Sequence, residues 1–177
     1  MTLWLFPDNT VLCNFAAVGE LDLLRDILRD RGRWTEAVEQ EARKSGNYLP
    51  ALRSPIPWLG EPIAVEDEDS IGKVERIRRG VFGGGDDRPT QHLGEAQTCF
   101  ILRTSEFTGS CWISDDRDAF DFAQRQGILT RKTWQVLAEG VAGGDVSSAD
   151  AYEMLEGMAA AGRNLLVPTR PEFEAGT

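Results

Sequence analysis

A chain of 177 residues, 41% apolar and 27% charged, has the length and composition of one globular domain with a buried core. No apolar run is long enough to span a bilayer, and a formal charge of −10 argues against a general nucleic-acid binder with a basic surface. Three cysteines (Cys13, Cys99, Cys111), an odd number with no CxxC pair, argue for reduced thiols in a cytoplasm and against a disulfide scaffold or zinc site.

The apolar start, Met1 to Phe6, lacks a basic opening and runs into Pro7-Asp8. It reads as a buried strand over Leu3–Phe6, not as a signal peptide. Helical periodicity follows from Val11 to Leu28, broken at Gly19. Gly32 to Thr35 predicts a short strand feeding a helix that runs to about Lys44. The segment 46–91 changes character: it holds Pro50, Pro55, Pro57, Pro62 and Pro89, the acid run Glu66 to Asp69, and Gly83-Gly84-Gly85. It is expected to be irregular, with one strand near Ile63–Val65 and one helix near Ser70–Arg79. The glycine run with Asp86-Asp87 is expected to be a mobile tip outside the core.

Regular order returns at His92. Leu93–Arg103 predicts a helix, Ser110–Ile113 a strand, and Asp116–Gln126 a helix ended by Gly127. Ile128-Leu129 predicts a last short strand, with Thr130 capping the next helix, and Ser147 with Asp150 resembles a capping box for another. Strands alternating with helices predict a parallel sheet covered on both faces. The whole chain is read as a single domain, 1–177.

In such sheets ligands bind at the carboxyl ends of the strands. Asp8 follows the first strand and Asp115 follows Ser110–Ile113, so both are expected at adjacent strand ends. Either acid alone is equally well explained as a helix cap. Glu41 late in one helix and Glu95 early in another are the further candidates, against a solvated face and a helix-dipole contact respectively. If these stretches converge, three or more carboxylates crowd one pocket, and their mutual repulsion calls for a cation. Hard oxygen ligands suit Mg²⁺ or Mn²⁺, and such a site hydrolyses phosphodiesters through metal-activated water. His92 is the only histidine, which excludes a two-histidine ribonuclease mechanism. Asn9, Thr10 and Ser114 either orient water or cap helices. Lys73, Arg76, Arg78 and Arg79 form the most basic patch, while Arg43-Lys44, Arg117 and Arg131-Lys132 are nearer the acids and are candidates to touch phosphates.

Four stretches carry a resemblance to a known family: Asp8-Asn9-Thr10-Val11-Leu12; Thr35-Glu36-Ala37-Val38 with Glu41; Leu93-Gly94-Glu95-Ala96; and Ile113-Ser114-Asp115-Asp116-Arg117-Asp118-Ala119. In this order they resemble the acidic motifs of PIN-domain nucleases. Gly127-Ile128, Thr133 to Leu137, Gly144 and Ser147 resemble the end of VapC-like toxins. The resemblance covers roughly residues 1–45 and 92–168, and segment 46–91 fits it only loosely. It implies a three-layer α/β/α sandwich with a central parallel sheet of four or five strands. It implies a metal-dependent ribonuclease of a toxin–antitoxin pair acting on single-stranded RNA, with an antitoxin partner and frequently a homodimer. The catalytic set is then Asp8, Glu41, Glu95 and Asp115, with Asp8, Glu95, Asp115 and Asp118 as metal ligands. The family's last acid maps to Asp115, Asp116 or Asp118; register favours Asp115, with Asp118 one helical turn later.

A phosphatase with an aspartate nucleophile would need a second Asp two residues after Asp8, where Thr10 stands. A receiver domain would carry its acid pair early, whereas Asp115-Asp116 comes late. The serious rival is a PIN-like binding module without activity, acting through a protein partner.

Overall fold

The computed structural model describes residues 3–54 and 56–177; Met1 and Thr2 of the apolar start, and Pro55, lie outside them. The chain is α/β. Three short strands, β1 (Leu5–Pro7), β2 (Cys111–Ile113) and β3 (Leu129–Arg131), form a parallel sheet in that order. Three strands are fewer than the four or five expected. The other two expected positions do join the sheet direction, but only through single parallel bridges, Leu5 to Gly32 and Thr35 to Ile63. Their composition explains why they stop there. Pro62 has no N–H to extend a ladder, and Gly32 has no side chain to pack in a strand. Gly32 is nonetheless required, since a Cβ there would stand 2.6 Å from Leu59 Cδ2.

Helices fill the rest of the chain: α1 (Asn9–Ala17), α2 (Leu21–Leu28), α3 (Glu36–Ser45), α4 (Glu68–Gly80), α5 (Leu93–Ile101), α6 (Arg117–Arg125), α7 (Thr133–Gly143), α8 (Ser148–Ala160) and α9 (Arg170–Ala175). Side chains alternate across a strand, so each strand feeds two cores. Leu5, Cys111 and Ile113 pack with Val11 and Phe15 of α1, Leu24 of α2, Val38 of α3, Leu137 of α7 and Leu155 of α8. Phe6 and Trp112 point the other way, onto Cys99 and Ile101 of α5 and Ala119 and Ala123 of α6. Helices therefore cover both faces of the sheet. Among the described residues, no helix is long and apolar enough to cross a membrane. All three cysteines are free and buried, and burial pushes the Cys99 and Cys111 thiols up to about 11 and about 12.

Two local expectations are corrected. Thr130 lies inside β3 and caps nothing; α7 instead begins after Lys132, whose backbone N–H donates to Gln135 Oε1 at 2.9 Å. The glycine run is not a free tip. It wraps the fully buried Arg78, whose guanidinium donates to the carbonyls of Gly85, Arg88 and Gln91 at 3.2–3.3 Å and to both carboxylate oxygens of Glu75 at 2.7 Å. Gly84 lies so close that a Cβ would meet Arg78 Nη1 at 2.4 Å. The sequence carries no mark of this, because the guanidinium's loop partners are backbone carbonyls that any residue supplies. Arg78→Ala strips three carbonyls of their donor and should cost about 3 kcal/mol or more. Chemical denaturation checks this, and hydrogen exchange over Gly83–Asp87 should accelerate in the variant; an unchanged midpoint would contradict the anchored loop.

Candidate active site

Asp8 stands where β1 gives way to α1. Its backbone N–H donates to Ile113 O of β2 at 3.0 Å, so the sheet register carries Asp8 to the end of β2. Its carboxylate then caps α1: Oδ1 accepts from Val11 N at 3.0 Å and from Thr10 Oγ1 at 2.6 Å. The capping role and the site role thus fall on one side chain. Asp8 is only 7% exposed. Burial pushes its carboxyl up to about 7, against the pull of hydrogen bonds from Ser114, Thr10 and Val11, and the negative charge of Asp115 adds to the rise.

Asp115 sits two residues beyond β2, beside Asp8 as expected of adjacent strand ends. Asn14 Nδ2 of α1 donates to its Oδ2 at 2.8 Å, and Thr133 donates through its backbone N–H to Oδ1 at 3.1 Å and through its hydroxyl to Oδ2. Burial raises its pKa, opposed by these donors and by the charge of Lys132.

Glu41 and Glu95 meet across the contact between α3 and α5. Gly94 N–H donates to Glu41 Oε1 at 3.3 Å, and a Cβ on Gly94 would lie 2.9 Å from both Glu41 oxygens. A side chain at this position would push the Glu41 carboxylate away from the Gly94 N–H. Gln97 ties the same helices together by accepting from Ala37 N at 3.1 Å, at the start of α3. Burial pushes the Glu41 carboxyl up to about 7, with the charges of Glu95 and Asp8 adding to it and the Gly94 N–H and Lys44 opposing it. Glu95 is met by His92 Nδ1 at 3.4 Å. Asp8, Thr10, Glu41, His92 and Glu95 share the wall of one cavity of about 300 Å³.

Of the four expected catalytic acids, Asp8, Glu41 and Glu95 line one cavity, while Asp115 lies outside that wall, held by Asn14 and Thr133 next to Asp8 at the end of β2. Of the remaining candidates, Asn9 lines the same cavity and Ser114 hydrogen-bonds Asp8, whereas Asp116 and Asp118 stand apart. Asp116 caps α6 by accepting from Ala119 N at 2.8 Å, and Asp118 is exposed in the first turn of α6 and does not line the cavity. Asn9 is turned to Ser45, with Nδ2 to Oγ at 3.1 Å, and so braces α1 against α3. Arg43, Arg117 and Arg131 are paired with Glu39, Asp121 and Glu139, which leaves Lys44 and Lys132 as the cations whose charge reaches the acids. Asn14 and Gln97 are positions at the candidate site that sequence reasoning passed over, and Gly94 and Thr133, though within the quoted motifs, were given no role there. The available signal was a polar residue in an apolar helical run, as in Val11-Leu12-Cys13-Asn14-Phe15.

Among the described residues, no three His, Cys, Asp or Glu side chains are gathered as a ready set of metal ligands. The donor chemistry nonetheless fits Mg²⁺ or Mn²⁺. It offers hard carboxylate oxygens from separate segments, with Asp8 and Glu41 raised chiefly by burial and further by the charges of Asp115 and Glu95 respectively, a state that a divalent cation relieves. No family model, curated protein or solved structure matches this chain.

Proposed function

We propose that the protein is a Mg²⁺- or Mn²⁺-dependent endoribonuclease of the PIN-domain kind, cleaving single-stranded RNA in the cytoplasm to leave a 5′-phosphate and a 3′-hydroxyl. The single observation that carries this reading is the cavity lined by Asp8, Glu41 and Glu95, carboxylates from three separate segments, with Asp115 at the adjacent strand end. Helices on both faces of a parallel sheet, with one further segment bridged to β1 at Gly32 and another bridged to that segment at Thr35, support the finer reading of a three-layer sandwich with five strand positions.

Asp8 and Asp115, with Glu95, would hold the cation, which when bound supplies a water of lowered pKa and offsets charge on the phosphate. Asn14 and Thr133 orient the Asp115 carboxylate through three donated hydrogen bonds. Glu41, its Oε1 held by Gly94 N–H, moves a proton at Oε2 near neutral pH. Lys44 and Lys132 meet the substrate's phosphates. The reading carries with it the toxin role of a toxin–antitoxin pair, an antitoxin protein partner and a homodimer. Asp118, exposed on α6, would join the ligand set only by turning toward the site.

A second reading, a PIN-like module without catalysis that works through a protein partner, draws on the engagement of both Asp115 oxygens by Asn14 and Thr133. Cleavage of single-stranded RNA that stops in excess chelator and returns with Mn²⁺ supports the nuclease. Full activity in chelator excludes this mechanism, and absence of both cleavage and calorimetric Mn²⁺ binding favours the module.

A further inference from the structure

A groove of about 520 Å³ runs between α4, α5 and α6, bordered by Lys73, Arg76, Phe100, Arg103 and Phe122. Its chemistry is mixed in a definite way, with half-buried rings on the floor and cations on the rim. The chain has a formal charge of −10, yet Arg76 and Arg103 are exposed here and, among the described residues, stand in no ion pair. On the same helix α4, by contrast, Lys73, Arg78 and Arg79 are matched by Asp69, Glu75 and Asp86. A third guanidinium, Arg125, lies 6.0 Å from the centre of the Phe122 ring. The groove and the acidic cavity share no lining residue, but a series of ring contacts runs through the structure from one to the other. Phe122 meets Phe82 edge to face at 5.7 Å, Phe82 stacks on His92 at 6.3 Å, and His92 Nδ1 is 3.4 Å from Glu95.

We infer that this groove is a docking track for single-stranded RNA, which enters over Arg76 and Arg103, stacks bases on Phe122 and neighbouring rings, and passes His92 to the carboxylates. The inference rests on the nuclease reading for its direction of travel, but the binding itself does not depend on cleavage. Single strands are held by combining cations that follow the phosphates with aromatic faces that accept any base. An acidic peptide would satisfy the guanidinia and leave the rings without a role. The track also resolves the charge objection: substrate is drawn to a local cationic groove on an acidic protein, not to the surface at large.

The test separates binding from chemistry. Anisotropy of a short fluorescent single-stranded RNA, in excess chelator and over a series of salt concentrations, reads affinity and its salt slope. In the Arg76→Ala, Arg103→Ala double variant the affinity should fall and the slope should drop by about 1.4, roughly 0.7 for each phosphate that is no longer neutralised. Phe122→Leu should weaken binding about tenfold with the slope unchanged, since stacking is not a counterion effect. Thermal melts establish that both variants fold. Affinity and slope unchanged in both, with RNA still cleaved by the wild type in Mn²⁺, overturns the track and leaves the nuclease reading standing. Binding weakened in both, with a wild type that neither cleaves RNA nor binds Mn²⁺ in calorimetry, supports the track and removes the nuclease reading. A wild type that binds an acidic peptide there and no RNA overturns the track.

Discussion

Asp8→Asn should lower the cleavage of single-stranded RNA by about 10²-fold or more, equivalent to roughly 3 kcal/mol of lost transition-state stabilisation. The substitution isolates charge from architecture. An asparagine oxygen still accepts from Val11 N, so α1 keeps its cap while the site loses a negative group. Asp115→Asn should lose as much activity but also perturb the fold. Asp115 accepts three hydrogen bonds from Asn14 and Thr133, and an amide would turn an N–H₂ toward one of those donors. Steady-state kcat/KM in Mg²⁺ reads both effects, and wild-type activity in either variant would rule out the mechanism.

The same Asp8→Asn change should stabilise the metal-free protein. The Asp8 carboxyl rises from an ordinary 3.8 to about 7 on folding. Between those values the folded chain keeps a proton that the unfolded chain has released, so this group's contribution to stability declines as pH rises through the window and then levels off. Glu41, raised from 4.5 to about 7, acts in the same direction. Chelated melts from about pH 5 to about pH 8 should therefore show the variant gaining on the wild type as pH rises. Above pH 7 the gain should be on the order of 2–4 kcal/mol, or at least roughly 4 °C in Tm. Mn²⁺ should narrow the gap by stabilising the wild type. A gap that is constant with pH would mean that Asp8 is ionised in the folded protein without assistance. Activity and stability thus pull against each other at one carboxylate.

Much of the sheet was legible because its signals are local. A short apolar run followed by an acid marks Asp8 and Asp115; three of the five expected strand positions form the sheet, and the other two make only isolated parallel bridges. Caps were legible where the residue chemistry is specific, as at Ser147 with Asp150, and misleading at Thr130, where a backbone donor and a glutamine three residues on set the helix start. Buried polar partners were not legible. Asn14 and Thr133 meet Asp115 across 101 and 18 residues of chain, and although the apolar neighbours of Asn14 mark it as buried, nothing local names its partner. The anchored glycine loop was hidden for a related reason. Arg78 at a helical position looks like one more surface cation until its carbonyl partners are in place.

The pairing of β1 with β2 joins residues 5–7 to residues 111–113, and the Asp115 carboxylate is set only when Thr133 arrives. On the ribosome, where roughly 5–20 residues are added each second, Asp8 is made several seconds before its neighbours in the site exist. Nothing in the first hundred residues can assemble the four-carboxylate constellation. Pairings this distant also close slowly after release, because the loop entropy must be met before the contacts return it. On the proposed nuclease reading, a growing chain of this topology cannot cleave the messenger that encodes it until Thr133, within the last third of the sequence, has been made.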